Sequence, residues 1–187
     1  MTKDVQTIID RCAREQSATL DLSFLGLAAL PAEVCRLGHL KTLSLRRNHL
    51  TALPPELADL PHLTELNLGR NALLSVPPVV FKMTGLENLL LYGNVLTELP
   101  AEIGNLVNLR GLNLWDNQLV KLPPEIGELA SLMTLNLENN LLTELPVELR
   151  RLSKLEALYL TGNHLSIPGD IVRLETQPNT ILDAYFS

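Results

Sequence analysis

The sequence has few aromatic residues, no surplus of basic charge and no long hydrophobic run. Aromatic residues make up only 4% of the 187 residues although 46% are hydrophobic, which is typical of a uniform, repeated packing arrangement. The net charge of −6 argues against nucleic acid and anionic membranes, because phosphate binding needs a surplus of Lys and Arg on one face. No stretch approaches the roughly 20 apolar residues of a spanning helix. We therefore expect neither a nucleic acid nor a membrane partner.

Cysteine is scarce as well. Cys12 and Cys35 are the only two, and neither lies in a CxxC motif or a His-rich neighbourhood, so both are expected to be buried free thiols without a metal or redox role. The opening residues, MTKDVQTIIDRC, lack the basic segment and apolar run of a secretory signal. These features favour a cytoplasmic, reducing environment.

Leucine and asparagine, by contrast, recur in one register. The asparagines follow a period of 23 residues: Asn48, Asn71, Asn94, Asn117, Asn140 and Asn163. Pairs of leucines two residues apart keep the same period: Leu20 and Leu22, Leu43 and Leu45, Leu66 and Leu68, Leu89 and Leu91, Leu112 and Leu114, Leu135 and Leu137, and Leu158 and Leu160. A period of this length indicates a solenoid of stacked repeats.

Each leucine pair has the alternating pattern of a short strand with both leucines directed inward. Successive strands are then predicted to pair in parallel. The asparagine after each strand is predicted to bond the backbone of adjoining coils, because a buried polar group without partners costs about 1–3 kcal/mol. We interpret the asparagine column as a structural ladder.

The second half of most repeats places a glutamate two residues after a proline, as in LPPELADL at 53–60. Proline suits the first helical position and glutamate the first turn, so a short helix or a 3₁₀ turn is predicted on the convex side. The repeat with VPPVVFKMTGL at 76–86 departs from this pattern, since Val79 replaces the glutamate and Phe81 is added. We expect Phe81 to pack inward; the alternative is an outward Phe81 that marks a second contact surface.

The two ends of a stacked array need covers. A cap helix is predicted over 1–17 from apolar residues at helical spacing, namely Val5, Ile8, Ile9 and Cys12. Seven repeats then occupy 18–168, the last one shortened, and a C-terminal cap occupies 169–187. A helix in this cap is predicted to start at Asn179 and to face the last coil with Ile181, Leu182 and Tyr185.

The segment LKTLSLRRNHL at 40–50 has the pattern LxxLxLxxNxL, and the unit with LPxEIGxL resembles the Ras-suppressor-like intracellular class of leucine-rich repeats. The resemblance covers nearly the whole chain. It implies an α/β fold: a right-handed, horseshoe-shaped solenoid with a parallel sheet on its concave face, short helices or 3₁₀ turns on its convex face, and a helical cap at each end.

The two ends of the chain carry a second resemblance. The segments ATLDLSFLGLAALP, IPGDIV and QPNTILDAYF are similar to the leucine-rich-repeat region of bacterial Roco proteins, in which a GTPase domain follows the repeats. The chain has no GxxxxGK[ST] loop, so a nucleotide site would have to lie beyond Ser187. The resemblance leaves two readings open, a stand-alone relative and an excised domain of a larger enzyme.

The family resemblance implies a protein partner on the concave face. The only tryptophan and two of the three tyrosines are predicted to lie there, with Tyr92 and Trp115 as neighbours in one column. Exposed Trp, Tyr and Arg are enriched at binding hot spots. The predicted site has an anchor of Leu90, Tyr92, Trp115 and Tyr159, flanked by Arg46, Arg47 and Arg70, and it also includes Asn113, Asp116 and Glu138. The alternative is that the aromatics are merely tolerated on a repeat scaffold.

The four histidines offer little chemistry. His39 and His62 share one repeat position, where a metal could bridge them, but a stable site usually wants three or four ligands. His49 and His164 lie five repeats apart. We expect no catalytic residue, no metal and no cofactor. The predicted function is a monomeric protein-binding module, and the alternative is the recognition arm of a larger signalling enzyme, such as a Roco-type GTPase or a bacterial effector.

Overall fold

The computed structural model describes residues 3–187, in which short strands alternate with short 3₁₀ helices between α-helices at the two ends. The chain begins with helix α1 (Lys3–Glu15). Seven strands follow, namely β1 (Thr19–Asp21), β2 (Thr42–Ser44), β3 (Glu65–Asn67), β4 (Asn88–Leu90), β5 (Gly111–Asn113), β6 (Thr134–Asn136) and β7 (Ala157–Tyr159). Helices α2 (Gly169–Val172) and α3 (Pro178–Phe186) end it.

The seven strands form one parallel sheet in sequence order. Each residue pairs with its counterpart 23 residues along the chain, as Leu43 does with Leu66 and Leu89 with Leu112. The sequence period is therefore the register of the sheet, and the predicted parallel solenoid is confirmed.

The core is a continuous stack of leucines. Every member of the two leucine columns is at most 1% exposed. Burying one such side chain contributes about 1.5–3 kcal/mol, and the contribution is repeated at each coil. Since each coil covers the next, the solenoid needs no large aromatic core, which accounts for the low aromatic content.

The asparagine column lies at the turn after each strand and joins neighbouring coils. Asn117 is typical: its amide nitrogen donates to the carbonyls of Leu91 and Leu114 at 3.1 and 3.0 Å, and its oxygen accepts the backbone N–H of Leu96 at 3.1 Å. The same three kinds of bond recur at Asn48, Asn71, Asn94, Asn140 and Asn163. Buried amides are thus satisfied in every coil that carries one.

The convex side consists of 3₁₀ helices, which decides between the two predicted alternatives. Their bounds are Ala32–Arg36, Pro55–Asp59, Pro78–Lys82, Ala101–Asn105, Pro124–Glu128 and Val147–Arg151. Each is preceded by a proline in the N-cap position. Phe81 is only 6% exposed, which confirms that it packs inward.

One column of the convex side varies in size from coil to coil. It holds Phe81, then Gly104 and Gly127 in the next two repeats. A Cβ atom on Gly127 would lie 2.5 Å from the backbone oxygen of Glu148, and one on Gly104 would lie 3.1 Å from the Cβ of Glu125. Neighbouring coils therefore approach each other closely at these two glycines.

Helix α1 covers the first coil. Val5, Ile9 and Cys12 on its inner face are at most 5% exposed, as the helical spacing predicts. The helix ends at Glu15, and the first two residues of the predicted cap lie outside the described part of the chain.

The C-terminal cap differs in detail from the prediction. Helix α3 begins at Pro178 and not at Asn179, since Pro178 takes the first helical position, to which its fixed φ is suited. The short helix α2 was not predicted. Ile181 and Leu182 of α3 are buried, and the hydroxyl of Tyr185 accepts the backbone N–H of Leu145 at 3.1 Å. The cap is therefore fixed to the last coils by packing and by a hydrogen bond.

Candidate functional site

The concave face is formed by the residues that alternate with the inward leucines. In β2 to β5 the central leucine is buried while both neighbours are half-buried. Two further columns continue this surface beyond the strands, because the chain stays extended for two residues and then turns. The side chains of these two columns carry most of the aromatic and cationic groups of the face.

Six of these side chains form what we call the arginine–aromatic cluster: Phe24, Arg46, Arg47, Arg70, Tyr92 and Trp115. Tyr92 and Trp115 come from adjacent coils, with ring centroids 6.1 Å apart and planes tilted by 31°. This separation lies within the range of favourable aromatic pairs. The predicted neighbourhood of the two rings is present in the structure.

Arg46 lies between two aromatic rings. Its guanidinium carbon is 5.4 Å from the centroid of Phe24 and 6.0 Å from that of Tyr92. Tyr92 is two coils away, and the contact spans the intervening coil because Gly69 carries no side chain there. A Cβ atom on Gly69 would lie 2.5 Å from the Tyr92 ring, so the glycine makes room for the ring above it.

The other two arginines also lie against rings. The guanidinium carbon of Arg47 is 4.9 Å from the centroid of Phe24, and that of Arg70 is 6.0 Å from Trp115. Arg70 crosses a second glycine to reach its ring, since a Cβ atom on Gly93 would lie 2.9 Å from the Cγ of Arg70. Each such cation–π contact is worth about 0.5–1 kcal/mol at an exposed site, so the cluster is partly ordered before any partner arrives.

The arginines of the cluster carry no compensating charge. Within residues 3–187, Arg46, Arg47 and Arg70 form no ion pair, whereas Arg110 pairs with Glu87 at 3.4 Å. The Nε atom of Arg46 is shielded from solvent and has no hydrogen-bond partner among these residues. The cluster is therefore a positive area on a chain whose net charge is −6.

Three members of the cluster have an unusual backbone conformation. Phe24, Arg47 and Arg70 have φ angles of 62°, 53° and 56°. Left-handed backbone costs a residue with a Cβ atom roughly 1–2 kcal/mol. Gly93 and Gly162, with φ of 65° and 79°, take the same conformation in their own coils without that cost. The side chains of Phe24, Arg47 and Arg70 therefore lower the stability of the chain relative to glycine at these positions.

The predicted site residues fall into two groups. Tyr92, Trp115 and the three arginines come together in the cluster, whereas Leu90, Asn113 and Tyr159 line a separate recess of about 650 Å³ nearer the start of the strands. The recess also contains Glu65, Glu156 and Arg110. The single anchor predicted from the sequence is thus divided between two neighbouring places on the concave face.

Asp116 and Glu138 lie beyond the cluster, in the two columns that supply it. Asp116 is exposed with φ of 59°, and Glu138 is half-buried with its Oε2 3.5 Å from the amide nitrogen of Asn136. Neither forms an ion pair within residues 3–187.

Sequence reasoning left two contributors out of the site. Phe24 is 59% exposed and contacts two arginines, but the predicted site did not include it. Gly69 contributes by its lack of a side chain. The signal for Phe24 was its position one coil before Arg47 in the same column, and the signal for Gly69 was its place between Arg46 and Tyr92.

Few side chains of the described residues are placed to bind a metal or to react. Among residues 3–187 no group of three or more His, Cys, Asp or Glu side chains is arranged to hold a metal ion. His39 is half-buried, with Nε2 3.9 Å from the Sγ of Cys12.

The two cysteines are free thiols in different environments. Cys12 is buried as expected, but Cys35 is only half-buried, because it lies on the convex side of the first repeat. Burial raises the pKa of both thiols, with a smaller contribution from Glu15 for Cys12 and from Glu56 and Asp59 for Cys35. Both are therefore poor nucleophiles near neutral pH.

In the part of the chain that the structure describes, no helix is long and apolar enough to cross a membrane.

Comparisons with known proteins agree with this architecture. The family model described as "Leucine rich repeat" matches residues 18–73, 61–119 and 107–165. A comparison with curated proteins gave no match. Among solved structures, a leucine-rich-repeat protein of Leptospira interrogans is 33% identical with a TM-score of 0.64, and the alignment covers 84% of this chain and 52% of that one.

Two further structures come from other kinds of protein. The leucine-rich repeat domain of the type III effector XopL is 28% identical with a TM-score of 0.74, over 86% of this chain and 57% of that one. The plant peptide hormone receptor RGFR1, solved in complex with RGF2, is 38% identical with a TM-score of 0.64, over 73% of this chain and 23% of that one. The chain thus spans about half the length of the first two proteins and less of the third.

The fold of these proteins is typically a non-catalytic scaffold for protein binding. With model matches that together span 18–165, and with the repeat register and asparagine ladder described above, this chain belongs to the leucine-rich-repeat family.

Proposed function

We propose that this chain is a non-catalytic protein-binding module that holds its partner on the concave face, with the arginine–aromatic cluster at the centre of the contact. The observation that carries the proposal is the cluster itself. It joins three aromatic rings and three guanidinium groups that have no ion partner within residues 3–187. Core packing does not require these side chains, since the leucine columns already fill the interior.

Two physical arguments support the cluster as the centre of an interface. Trp, Tyr and Arg supply most of the binding energy at known hot spots, because they combine a large contact area with a polar group. The cation–π contacts also restrict the side chains in advance, which lowers the entropy lost on binding. A partner that covers the cluster would accept hydrogen bonds from the terminal guanidinium nitrogens of the three arginines.

The size of the face is sufficient for a stable contact. Seven strands about 4.8 Å apart give a strip on the order of 30 Å long, and a standard interface buries roughly 800 Å² on each partner. The recess is lined by Leu90 and Asn113, which precede Tyr92 and Trp115 by two residues in their coils, so it would lie within the same footprint. The receptor RGFR1, which is similar in structure, was solved in complex with RGF2, and this supports a peptide or protein as the type of ligand.

The test compares capture of partners by two double variants. Tyr92→Ala with Trp115→Ala removes the aromatic pair, and Leu74→Ala with Val147→Ala removes two exposed apolar side chains, 74% and 56% exposed, that lie outside the concave columns. Immobilised wild-type chain and both variants are incubated with the same lysate, and bound proteins are quantified by mass spectrometry.

We expect a set of proteins that the wild type and the control variant retain and the aromatic variant loses. Circular dichroism spectra should be the same for all three chains, since neither ring belongs to the core. Equal capture by all three, with intact folding, would show that the cluster is not the centre of binding.

A further inference from the structure

Charge along one edge of the concave face, in the two columns just past the strands, is ordered along the solenoid axis. Arg46 and Arg47 belong to the second coil and Arg70 to the third, whereas Asp116 and Glu138 belong to the fifth and sixth. All five lie in the same two columns, just past the ends of the strands. Tyr92 lies in the fourth coil, between the two charged groups, and Trp115 lies in the fifth coil beside Asp116. Along this edge the order is therefore positive, aromatic, negative.

Both charged ends are without an ion partner. None of these arginines or acids forms a salt bridge within residues 3–187, although the same columns bring opposite charges onto one face. Arginine contacts are instead made to rings. The fourth coil, which holds Tyr92 and Gly93 in these columns, separates the two signs, so the charges of both ends remain available to a group from outside the chain.

The spacing of the two ends sets a length for that group. Four coils separate Arg46 from Glu138, which at about 4.8 Å per coil is roughly 19 Å. An extended peptide rises about 3.3 Å per residue, so about six residues span the distance. A segment laid along the edge would cross the coils and would bring alternate side chains down onto the face.

We propose that the partner presents an extended segment of opposite polarity: acidic side chains over Arg46, Arg47 and Arg70, a hydrophobic side chain against Tyr92 and Trp115, and basic side chains over Asp116 and Glu138. This rests on the proposed function and specifies the chemistry of the partner. Charge complementarity of this kind determines which partner is accepted and in which register.

Two other occupants are disfavoured by the same features. Nucleic acid would meet acids at one end of the edge and a chain with net charge −6. A uniformly acidic segment would suit the arginine end but would place its remaining charges on Asp116 and Glu138. Each of these two occupants predicts a different order of ligand affinities from the one proposed, so an experiment can distinguish them.

The chain supplies its own reporter, since Trp115 is the only tryptophan and belongs to the cluster. Trp- and Tyr-free synthetic peptides of about nine residues, long enough to overhang the span, are titrated while Trp115 emission is followed. All have a central leucine. In the ordered peptides, acids occupy one end and lysines the other, and both chain directions are made. The alternating peptide has the same residues in alternation. The acidic peptide carries only acids, and the lysine peptide carries only lysines.

We expect the better of the two polar-ordered peptides to bind about tenfold more tightly than the alternating isomer. The acidic peptide should fall between these, and the lysine peptide should bind most weakly. The preference should shrink at high salt, because much of it comes from partly exposed charges.

Two charge variants locate the ends. Arg46→Gln with Arg47→Asn should abolish the advantage of the ordered peptide over the lysine peptide. Asp116→Asn with Glu138→Gln should abolish its advantage over the acidic peptide. Asparagine is chosen at 47 and 116 because it tolerates the left-handed backbone found there. Melting curves confirm that both variants fold.

If the ordered and alternating peptides bind with equal affinity, the proposed polarity is wrong. If both peptides nevertheless change Trp115 emission, the proposal that the concave face binds a partner still stands. Absence of any response to all of the peptides would also overturn the inference. In that case the capture experiment with the aromatic variant decides separately whether the concave face binds a protein at all.

Discussion

Replacing Asn117 by alanine should destabilise the chain by about 3–5 kcal/mol. The side chain is 7% exposed and makes three short hydrogen bonds to backbone groups of its own coil and the preceding one. Its loss leaves the buried N–H of Leu96 without this partner, at a cost of about 1–3 kcal/mol, and removes one donor from each of two carbonyls, at about 1 kcal/mol apiece. Such a loss is a large part of a typical total stability of roughly 5–15 kcal/mol.

The measurement is urea unfolding followed both by far-ultraviolet circular dichroism and by Trp115 emission. Two further variants give the scale. Asn163→Ala removes the same bonds at the last, half-buried rung, where water can replace the amide, so it should cost about half as much. Gln118→Ala changes an exposed neighbour and should stay within about 0.5 kcal/mol of the wild type. If Asn117→Ala costs less than about 1 kcal/mol, or no more than Asn163→Ala, the ladder does not stabilise the coils as argued.

Gly127→Ala should cost about 1–3 kcal/mol in the same assay, since its Cβ would meet the backbone of the next coil at 2.5 Å; Gly38→Ala, whose Cβ would lie 4.0 Å from its nearest neighbour, is the control, and equal effects would contradict the close approach. Tyr185→Phe should cost about 1–2 kcal/mol because the N–H of Leu145 loses its acceptor, and an unchanged midpoint would mean that water replaces the hydroxyl. The half-buried thiol of Cys35, whose pKa burial raises, should react with iodoacetamide more slowly than free cysteine at pH 8, and faster as the pH rises through the folded-state pKa; a rate above that of free cysteine would contradict the assigned environment.

The regular part of this molecule follows from its sequence because one period sets every element. Leu43 pairs with Leu66 in the sheet for the same reason that they are 23 residues apart in the chain. Such inferences need only local patterns that repeat, and each coil supplies a further copy of the pattern.

The irregular parts were less accessible. The start of α3 at Pro178 was missed by one residue, because an asparagine and a proline both offer a helix start and the packing against the last coil decides. The contact of Arg46 with Tyr92 spans two coils, and columns written from the sequence show only which residues are adjacent. The length of a side chain and the gap above Gly69 become visible only in three dimensions, and so does the placement of the predicted anchor residues in two places, the cluster and the recess.

The curvature of the solenoid depends in part on one convex column of residues, which holds Phe81, Gly104 and Gly127 in three successive repeats. The strands fix the inner rim at one spacing, so the bend at each step depends on how far apart the outer rim is held. The two glycines allow the next backbone to approach, whereas a side chain as large as that of Phe81 in this column needs more room between coils. The arc is therefore expected to be tighter before the fourth coil and flatter from the fourth to the sixth, where Trp115, Asp116 and Glu138 lie. The size of that residue in each repeat therefore helps to set the outline that a partner must match.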